Sequence, residues 1–194
     1  MTTFFAALLG YLLGSIAFGL VITKAAGLGD IRSIGSGNIG ATNVLRTGRK
    51  DLALATLLLD GGKGAIAVLL AYALGWRPEI AGAAAFLGHC FPVWLKFNGG
   101  KGVATFIGTL LALWFPAGVF SAAIWLILAF VFRISSLAAL GAAAASPLVF
   151  FSMDKPAFAL AAGFMAALIF VRHHANIKRL IDGEEPRIGG AKKA

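Results

Sequence analysis

The 194-residue chain has one cysteine and eight carboxylates, and each shortage closes off a class of protein. A lone Cys90 has no partner for an intrachain disulfide, and in its apolar surroundings it reads as a packed thiol rather than a redox centre. Charge of either sign is scarce at 13%, while 59% of residues are apolar and mean hydropathy is +0.88, outside the range of soluble globular domains. No domain-sized polar region is left to hold nucleic acid. What remains is an integral membrane protein forming one domain over residues 1–194. Its surplus of cations, 17 Lys and Arg for a net charge of +9, points to anionic lipid headgroups or an anionic substrate.

The apolar runs outline the crossings. Thr2 to Thr23 is uncharged, about the 20 residues that a bilayer needs, and lacks the basic start and A-x-A pattern of a cleaved leader. Leu52 to Trp76 follows, interrupted by Asp60 and Lys63, which sit three apart and can pair. Then come Ile80 to Leu95, the uncharged Val103 to Phe132, Ile134 to Met153 and Pro156 to Val171. Val103 to Phe132 is long for one upright helix, and the rule that cytoplasmic loops collect Lys and Arg decides how it divides. A turn near Pro116 gives seven transmembrane helices with the N-terminus outside and the C-terminus cytoplasmic. Lys24, Arg32, Arg46, Arg49, Lys50, Lys96, Lys101, Arg133, Arg172, Lys178, Arg179, Arg187, Lys192 and Lys193 then lie inside, and only Arg77 and Lys155 outside. A single helix there splits the same charges evenly and leaves nothing to orient the chain. The expected fold is all-α and polytopic, with several short or tilted spans.

Three polar islands fall on the cytoplasmic side of that arrangement. "GSGNIGATNVLR", Gly35 to Arg46, fits the dinucleotide-binding fingerprint in letters, but it follows an apolar helix with no strand before it, so the Rossmann meaning is lost. The physics of its glycines survives: they accept φ > 0 and let backbone amides approach an anion. Ser36, Gly37, Asn38, Thr42 and Asn43 are its candidate ligands, and Arg46 adds a planar fork suited to phosphate oxygens. "FNGGKGVAT", Phe97 to Thr105, sets Gly99, Gly100 and Gly102 around Lys101, without the spacing of a Walker A loop. In "RHHANIKRL", Arg172 to Leu180, a continuing helix would put His173, Asn176 and Arg179 on one face. Two flexible donor-rich loops and a histidine-bearing helix end make an anion site at a membrane edge.

These stretches together resemble, along nearly the whole chain, the bacterial membrane glycerol-3-phosphate acyltransferases that use acyl-phosphate, the PlsY family. Its first motif looks like Ser36-Gly37-Asn38-Ile39-Gly40-Ala41-Thr42-Asn43-Val44-Leu45-Arg46. Its second is similar to Gly88-His89 through Phe91-Pro92-Val93 to Phe97-Asn98-Gly99-Gly100-Lys101-Gly102-Val103-Ala104-Thr105, and its third to His173-x-x-Asn176-Ile177-x-Arg179-Leu180 continuing to Gly183-x-Glu185. Gly14-Ser15-Ile16 to Phe18-Gly19 and Asp60-x-x-Lys63-Gly64 also match, with Ala17 where the family usually has Pro, a departure that touches a helix bend.

The resemblance implies transfer of a fatty acyl group from acyl-phosphate to the 1-hydroxyl of glycerol 3-phosphate, giving lysophosphatidic acid, in the bacterial inner membrane. It implies no metal or other cofactor and adds membrane lipids and the enzyme that makes acyl-phosphate as partners. The chemistry agrees: a mixed anhydride already carries its leaving group, so positioning and charge stabilisation suffice. Lys101, His173 and Asn176 are the expected catalytic residues. Ser36, Gly37, Asn38, Thr42, Asn43, Arg46, Gly99, Gly100, Gly102, Thr105, Arg179 and Glu185 are expected to bind substrate. The hydroxyl proton has two routes, to His173 as general base or to a phosphate oxygen of the donor, whose second pKa of about 6 suits the role. The second is favoured, with His173 orienting the substrate. A small polytopic transporter of a phosphorylated metabolite is the rival, but it calls for internal repeats and midplane polar groups. A CDP-alcohol phosphotransferase would need a carboxylate-rich metal motif, and the eight acids are scattered.

Overall fold

The computed structural model describes residues 1–189; Lys192 and Lys193 of the expected basic tail lie outside them. The described chain is helical: α1 (Thr2–Gly14), α2 (Phe18–Ala25), α3 (Ala41–Val44), α4 (Lys50–Ala73), α5 (Pro78–Cys90), α6 (Val103–Leu113), α7 (Phe115–Phe132), α8 (Ser135–Ser152), α9 (Pro156–Arg172) and α10 (His174–Ile181). Four pieces are long and apolar enough to cross a bilayer: α1–α2 taken together, α4, α7 and α8. The pair α9–α10, bent by 62°, makes a fifth if counted as one. At 13 and 11 residues, α5 and α6 are shorter than a full span, so helix length alone does not give the expected seven.

Burial follows a solvent that is itself apolar. Phe130, Leu160 and Phe151 are 86%, 76% and 76% exposed on the outside, whereas the interior helix faces carry Ala, Gly, Ser and Thr beside a cluster of Val68, Phe86, Phe106, Leu110, Phe150, Met165 and Ile169. Between lipid and helix there is no hydrophobic difference to exploit, so close backbone packing through small residues holds the bundle. Gly10 and Gly14 of α1 lie on the backbone of Ala81 and Ala85 of α5, and Gly108 of α6 lies on Gly61 of α4. A Cβ at Gly64 would come within 2.6 Å of Thr109 Oγ1 and 2.7 Å of the Thr105 carbonyl.

Two long apolar runs are broken. Val103 to Phe132 divides at Trp114, an extended residue with φ −160° and ψ 108°, and Pro116 sits in the first turn of α7. That is where proline fits a helix without loss, its missing N–H being unneeded there, so the break precedes the proline instead of falling on it. The first run, expected as one helix, stops at Gly14 and restarts at Phe18. Its freed carbonyls are taken from outside: Trp94 Nε1 donates to Ser15 O at 2.9 Å and Lys63 Nζ to Ile16 O at 2.7 Å.

The chain folds back and forth so that the loop before α4, the loop between α5 and α6, the α7–α8 corner and the α9–α10 bend meet at one end. Thr42 Oγ1 lies 3.4 Å from Ser135 Oγ there, and Arg172 reaches the α5–α6 loop. At the other end, Tyr72 Oη donates to Leu113 O, and the Lys155 ammonium sits 5.4 Å over the Trp114 ring.

Candidate active site

The first loop is built around one side chain. Asn43, 1% exposed, donates through Nδ2 to the carbonyls of Ile31, Ile34 and Asn38 at 3.0, 3.0 and 2.8 Å. Its Oδ1 accepts from Ser36 N at 3.1 Å and Arg46 Nη1 at 3.3 Å. With its hydrogen-bonding capacity filled by these partners, Asn43 shapes the loop. Gly35 and Gly37 turn the chain at φ +58° and +69°, and the Gly37 amide is bonded to Ile34 O. Gly37 therefore closes a turn with its amide engaged. Gly35 also leaves room for Arg46, whose Cδ and Nη1 would both lie 2.7 Å from a Cβ there.

In the second loop the glycine amides are likewise engaged. Gly99 N donates to Cys90 O and Gly100 N to His89 O, while the Gly99 and Gly100 carbonyls accept from Arg172 Nη2 at 2.7 Å and Nε at 3.2 Å. These two amides hold the loop to α5. Among the described residues, the amides of Lys101 and Gly102 carry no backbone bond. Gly102 is left-handed at φ +80° and abuts the Phe86 ring. Thr105, fully buried, donates to Asp60 O at 2.8 Å and pins α6 to α4.

The third island supplies the partner of Lys101. Lys101 Nζ donates to Asn176 Oδ1 at 2.5 Å, and Asn176 Nδ2 to Glu185 Oε1 at 2.5 Å. Glu185 also accepts from Ser136 Oγ and Arg179 Nε, both at 2.7 Å. Burial favours the neutral acid, but the hydrogen bonds from Ser136, Asn176 and Arg179 outweigh it and hold the Glu185 carboxyl below the usual range. Beyond Glu185 the chain lies as a strap over the α7–α8 corner, with Ile188 N donating to Arg133 O at 2.6 Å and Arg133 Nη2 to Ile188 O at 3.1 Å.

A cleft of about 330 Å³ opens among the loops, lined by Ser36, Phe91, Lys101, Val171, Arg172, His174, Ala175, Asn176 and Arg179. Lys101 there is pushed down to about 8, chiefly because burial disfavours its charge; Glu185 works the other way, and Arg179, Arg172 and Arg46 add to the lowering. The lining carries Lys101, Arg172 and Arg179 and no carboxylate, as suits an anion site. A larger groove of about 370 Å³ at the opposite end, between α5 and α9, is mostly apolar and carries only the Arg77–Glu79 pair, so it lacks the converging donors.

Several expected residues stand elsewhere. Asn38 and Thr42 lie beside the cleft and do not line it. The helix does not continue through the third island: it bends at His173, which is 3% exposed and packed beneath the cleft, while Asn176 and Arg179 face it. His173 Nδ1 lies 2.8 Å from Ile169 O, so Nδ1 donates and Nε2 is left as an acceptor. Sequence reasoning missed Arg172, counted only as a topological charge, and His174, which lines the opening. Arg172 immediately precedes His173, and its stacking at 5.3 Å over Phe91 was not visible in the spacing. Among the described residues, no three His, Cys, Asp or Glu side chains are placed to hold a metal ion.

Known proteins match this architecture closely. Residues 4–183 match the family model described as glycerol-3-phosphate acyltransferase. The chain is 66% identical over 186 residues to the glycerol-3-phosphate acyltransferase of Paramagnetospirillum magneticum, covering 95% of this chain and 92% of that one. It is 62% identical over 185 residues to that of Maricaulis maris, covering 94% and 86%. Among solved structures it is similar to PlsY, an integral membrane glycerol 3-phosphate acyltransferase. The glycerol 3-phosphate form gives a TM-score of 0.92 at 40% identity, covering 97% of this chain and 96% of that one. The lysophosphatidic acid form of the same protein gives 0.90 over the same shares. With its family profile filled almost end to end, its helices superposing on an integral membrane enzyme, and its basic loops converging on one cleft, the chain belongs to the glycerol-3-phosphate acyltransferase family.

Proposed function

We propose that this enzyme takes its acyl group from acyl-phosphate and places it on the 1-hydroxyl of glycerol 3-phosphate. The observation that carries the reading is the cleft itself, where Lys101, Arg172 and Arg179 stand beside the apolar Phe91 and Val171, so that a phosphate and an acyl chain have adjoining places. Lys101, Ser36 Oγ and the free amides of Lys101 and Gly102 bind the phosphate of the donor. Arg46, Arg179 and Asn176 hold glycerol 3-phosphate. The hydroxyl oxygen attacks the acyl carbon, the bond from that carbon to the phosphate oxygen breaks, and inorganic phosphate leaves with the hydroxyl proton. Lys101 stabilises the charge that develops, a role of about 3 kcal/mol for one well-placed donor. His173, whose Nε2 is an acceptor, orients glycerol 3-phosphate through its second hydroxyl and leaves the proton of the attacking hydroxyl free to go to phosphate.

The islands belong on the cytoplasmic side of the bacterial inner membrane, with seven crossings and the N-terminus outside; the bias of Lys and Arg toward their end of the bundle supports that topology. Soluble glycerol 3-phosphate reaches the cleft from water, and the acyl donor, supplied by the enzyme that makes it, from the bilayer. The deciding experiment uses purified protein with synthetic acyl-phosphate and glycerol 3-phosphate, without carrier thioester or metal. Lysophosphatidic acid and one equivalent of phosphate are expected; product formed only from a thioester donor would overturn the reading.

A further inference from the structure

We propose that Lys63 is a positioning residue: buried between the broken first span and the second loop, it locks the two together and so fixes Lys101 for reaction. The inference rests on the role given above to the second loop. Lys63 and Asp60 are each 2% exposed in their side chains, within a helix that crosses the apolar interior. Charges there are costly and default to a function. Lys63 Nζ donates to Ile16 O at 2.7 Å and to His89 Nδ1 at 2.8 Å, and Asp60 Oδ1, 2.8 Å away and with no hydrogen bond of its own, faces it as the counter-charge.

Each partner ties down a different element. Ile16 O belongs to the gap between α1 and α2, where no helical amide is placed to satisfy it well; Phe18 N reaches it only at 3.2 Å. The Phe18 ring, at the start of α2, lies 5.8 Å from Nζ. His89, accepting at Nδ1, must carry its proton on Nε2, and that edge of the ring packs against Gly100. The same residue's carbonyl accepts from Gly100 N at 3.0 Å, so His89 grips the residue before Lys101 by both side chain and main chain. Asp60 supplies the balancing charge, and its carbonyl takes the Thr105 hydroxyl at the start of α6. The loop that carries Lys101 is therefore held on both flanks by groups centred on one ammonium. A pair that served only α4 would have no need of contacts to α1–α2 and α5.

The test is a set of variants in detergent or nanodiscs, assayed with acyl-phosphate. Asp60→Leu/Lys63→Met removes both charges at once, so that no lone ion is left buried. It is expected to melt close to the native protein, with kcat lower by about 10–100-fold and KM for glycerol 3-phosphate within about threefold, as a small misplacement of a reacting group predicts. His89→Leu, which leaves the Asp60–Lys63 pair standing, should lose kcat in the same way. His89→Asn, whose amide oxygen can take the place of Nδ1, should recover most of it. A double variant that keeps kcat within about threefold, or an equal loss in His89→Leu and His89→Asn, overturns the inference and leaves the cluster as packing alone. Failure of the double variant to fold shifts the decision to the His89 pair. Native protein that does not turn over acyl-phosphate refutes the donor reading instead, and the variants are then compared with whichever donor the native protein accepts.

Discussion

The position of Lys101 makes its charge sensitive to pH in the range where enzymes are assayed. A free lysine stays charged up to 10.5, whereas Lys101 is held at about 8 by burial and by the arginines around the cleft. In its proposed role it must be an ammonium, so kcat/KM should fall as pH rises through about 8 and lie about tenfold below its plateau at about pH 9, where one site in ten keeps its proton. The profile should be measured from about pH 6 to about pH 10, following conversion of labelled glycerol 3-phosphate to lysophosphatidic acid. Lys101→Arg is the informative variant, because guanidinium stays charged throughout. Its rate will be lower, since the fork does not fit a site shaped for a point charge, but its alkaline limb should vanish. Stability moves the opposite way: between about 8 and 10.5 the unfolded chain holds a proton that the native protein has released, so this group's contribution to stability rises with pH in that window. Lys101→Met should accordingly melt no lower than native at neutral pH while turning over at least about 10²-fold more slowly. An alkaline limb near 8 that persists in Lys101→Arg would refute this reasoning, because it would belong to another group.

Three further outcomes follow from the geometry. Asn43→Ala leaves the Asn38 carbonyl and the Ser36 amide without a partner and removes one of two bonds from the Ile31 and Ile34 carbonyls. At about 1–3 kcal/mol for each group that water cannot reach, the melting temperature should drop and KM for glycerol 3-phosphate rise; an unchanged KM would separate the loop from binding. Glu185→Gln should free the strap, read as faster limited proteolysis beyond residue 181 together with a lower kcat, because Asn176 loses the carboxylate that orients it. Equal proteolysis rates would count against it. His173→Gln should keep the acid limb of the pH–rate profile, since an amide oxygen can accept where Nε2 did and the limb belongs to the acyl-phosphate. A profile that flattens would make His173 the general base.

How far the sequence discloses this depends on whether a feature is local. The apolar runs outline the long helices, and the charge bias divides Val103 to Phe132 close to where Trp114 breaks it. The break at Ser15–Ala17 was hidden because the donors that satisfy it come from Lys63 and Trp94, far along the chain. The same distinction runs through the site. Glycines, Lys101, Asn176 and Arg179 were recognisable as phosphate chemistry from residue type, and they do gather at one end of the bundle. Spacing does not tell which amides are engaged within the protein, as those of Gly99 and Gly100 are with Cys90 and His89. Arg172 counted as one positive charge among many, because its two bonds to the second loop span 72 and 73 residues.

The gap in the first span also bears on how the protein is made. In a lipid environment an unpaired carbonyl is a standing penalty, and the partners of Ile16 O and Ser15 O lie 47 and 79 residues further on. The Thr2–Ala25 segment therefore gains its side-chain donors at the break only once α4 and the α5–α6 loop have entered the membrane. Gly10 and Gly14 wait as well, for the α5 backbone that covers them. Settling the first span and assembling the second loop are thus coupled: Trp94, which bonds the break, is part of that loop, and Lys63, which also bonds it, meets His89 at the loop's base.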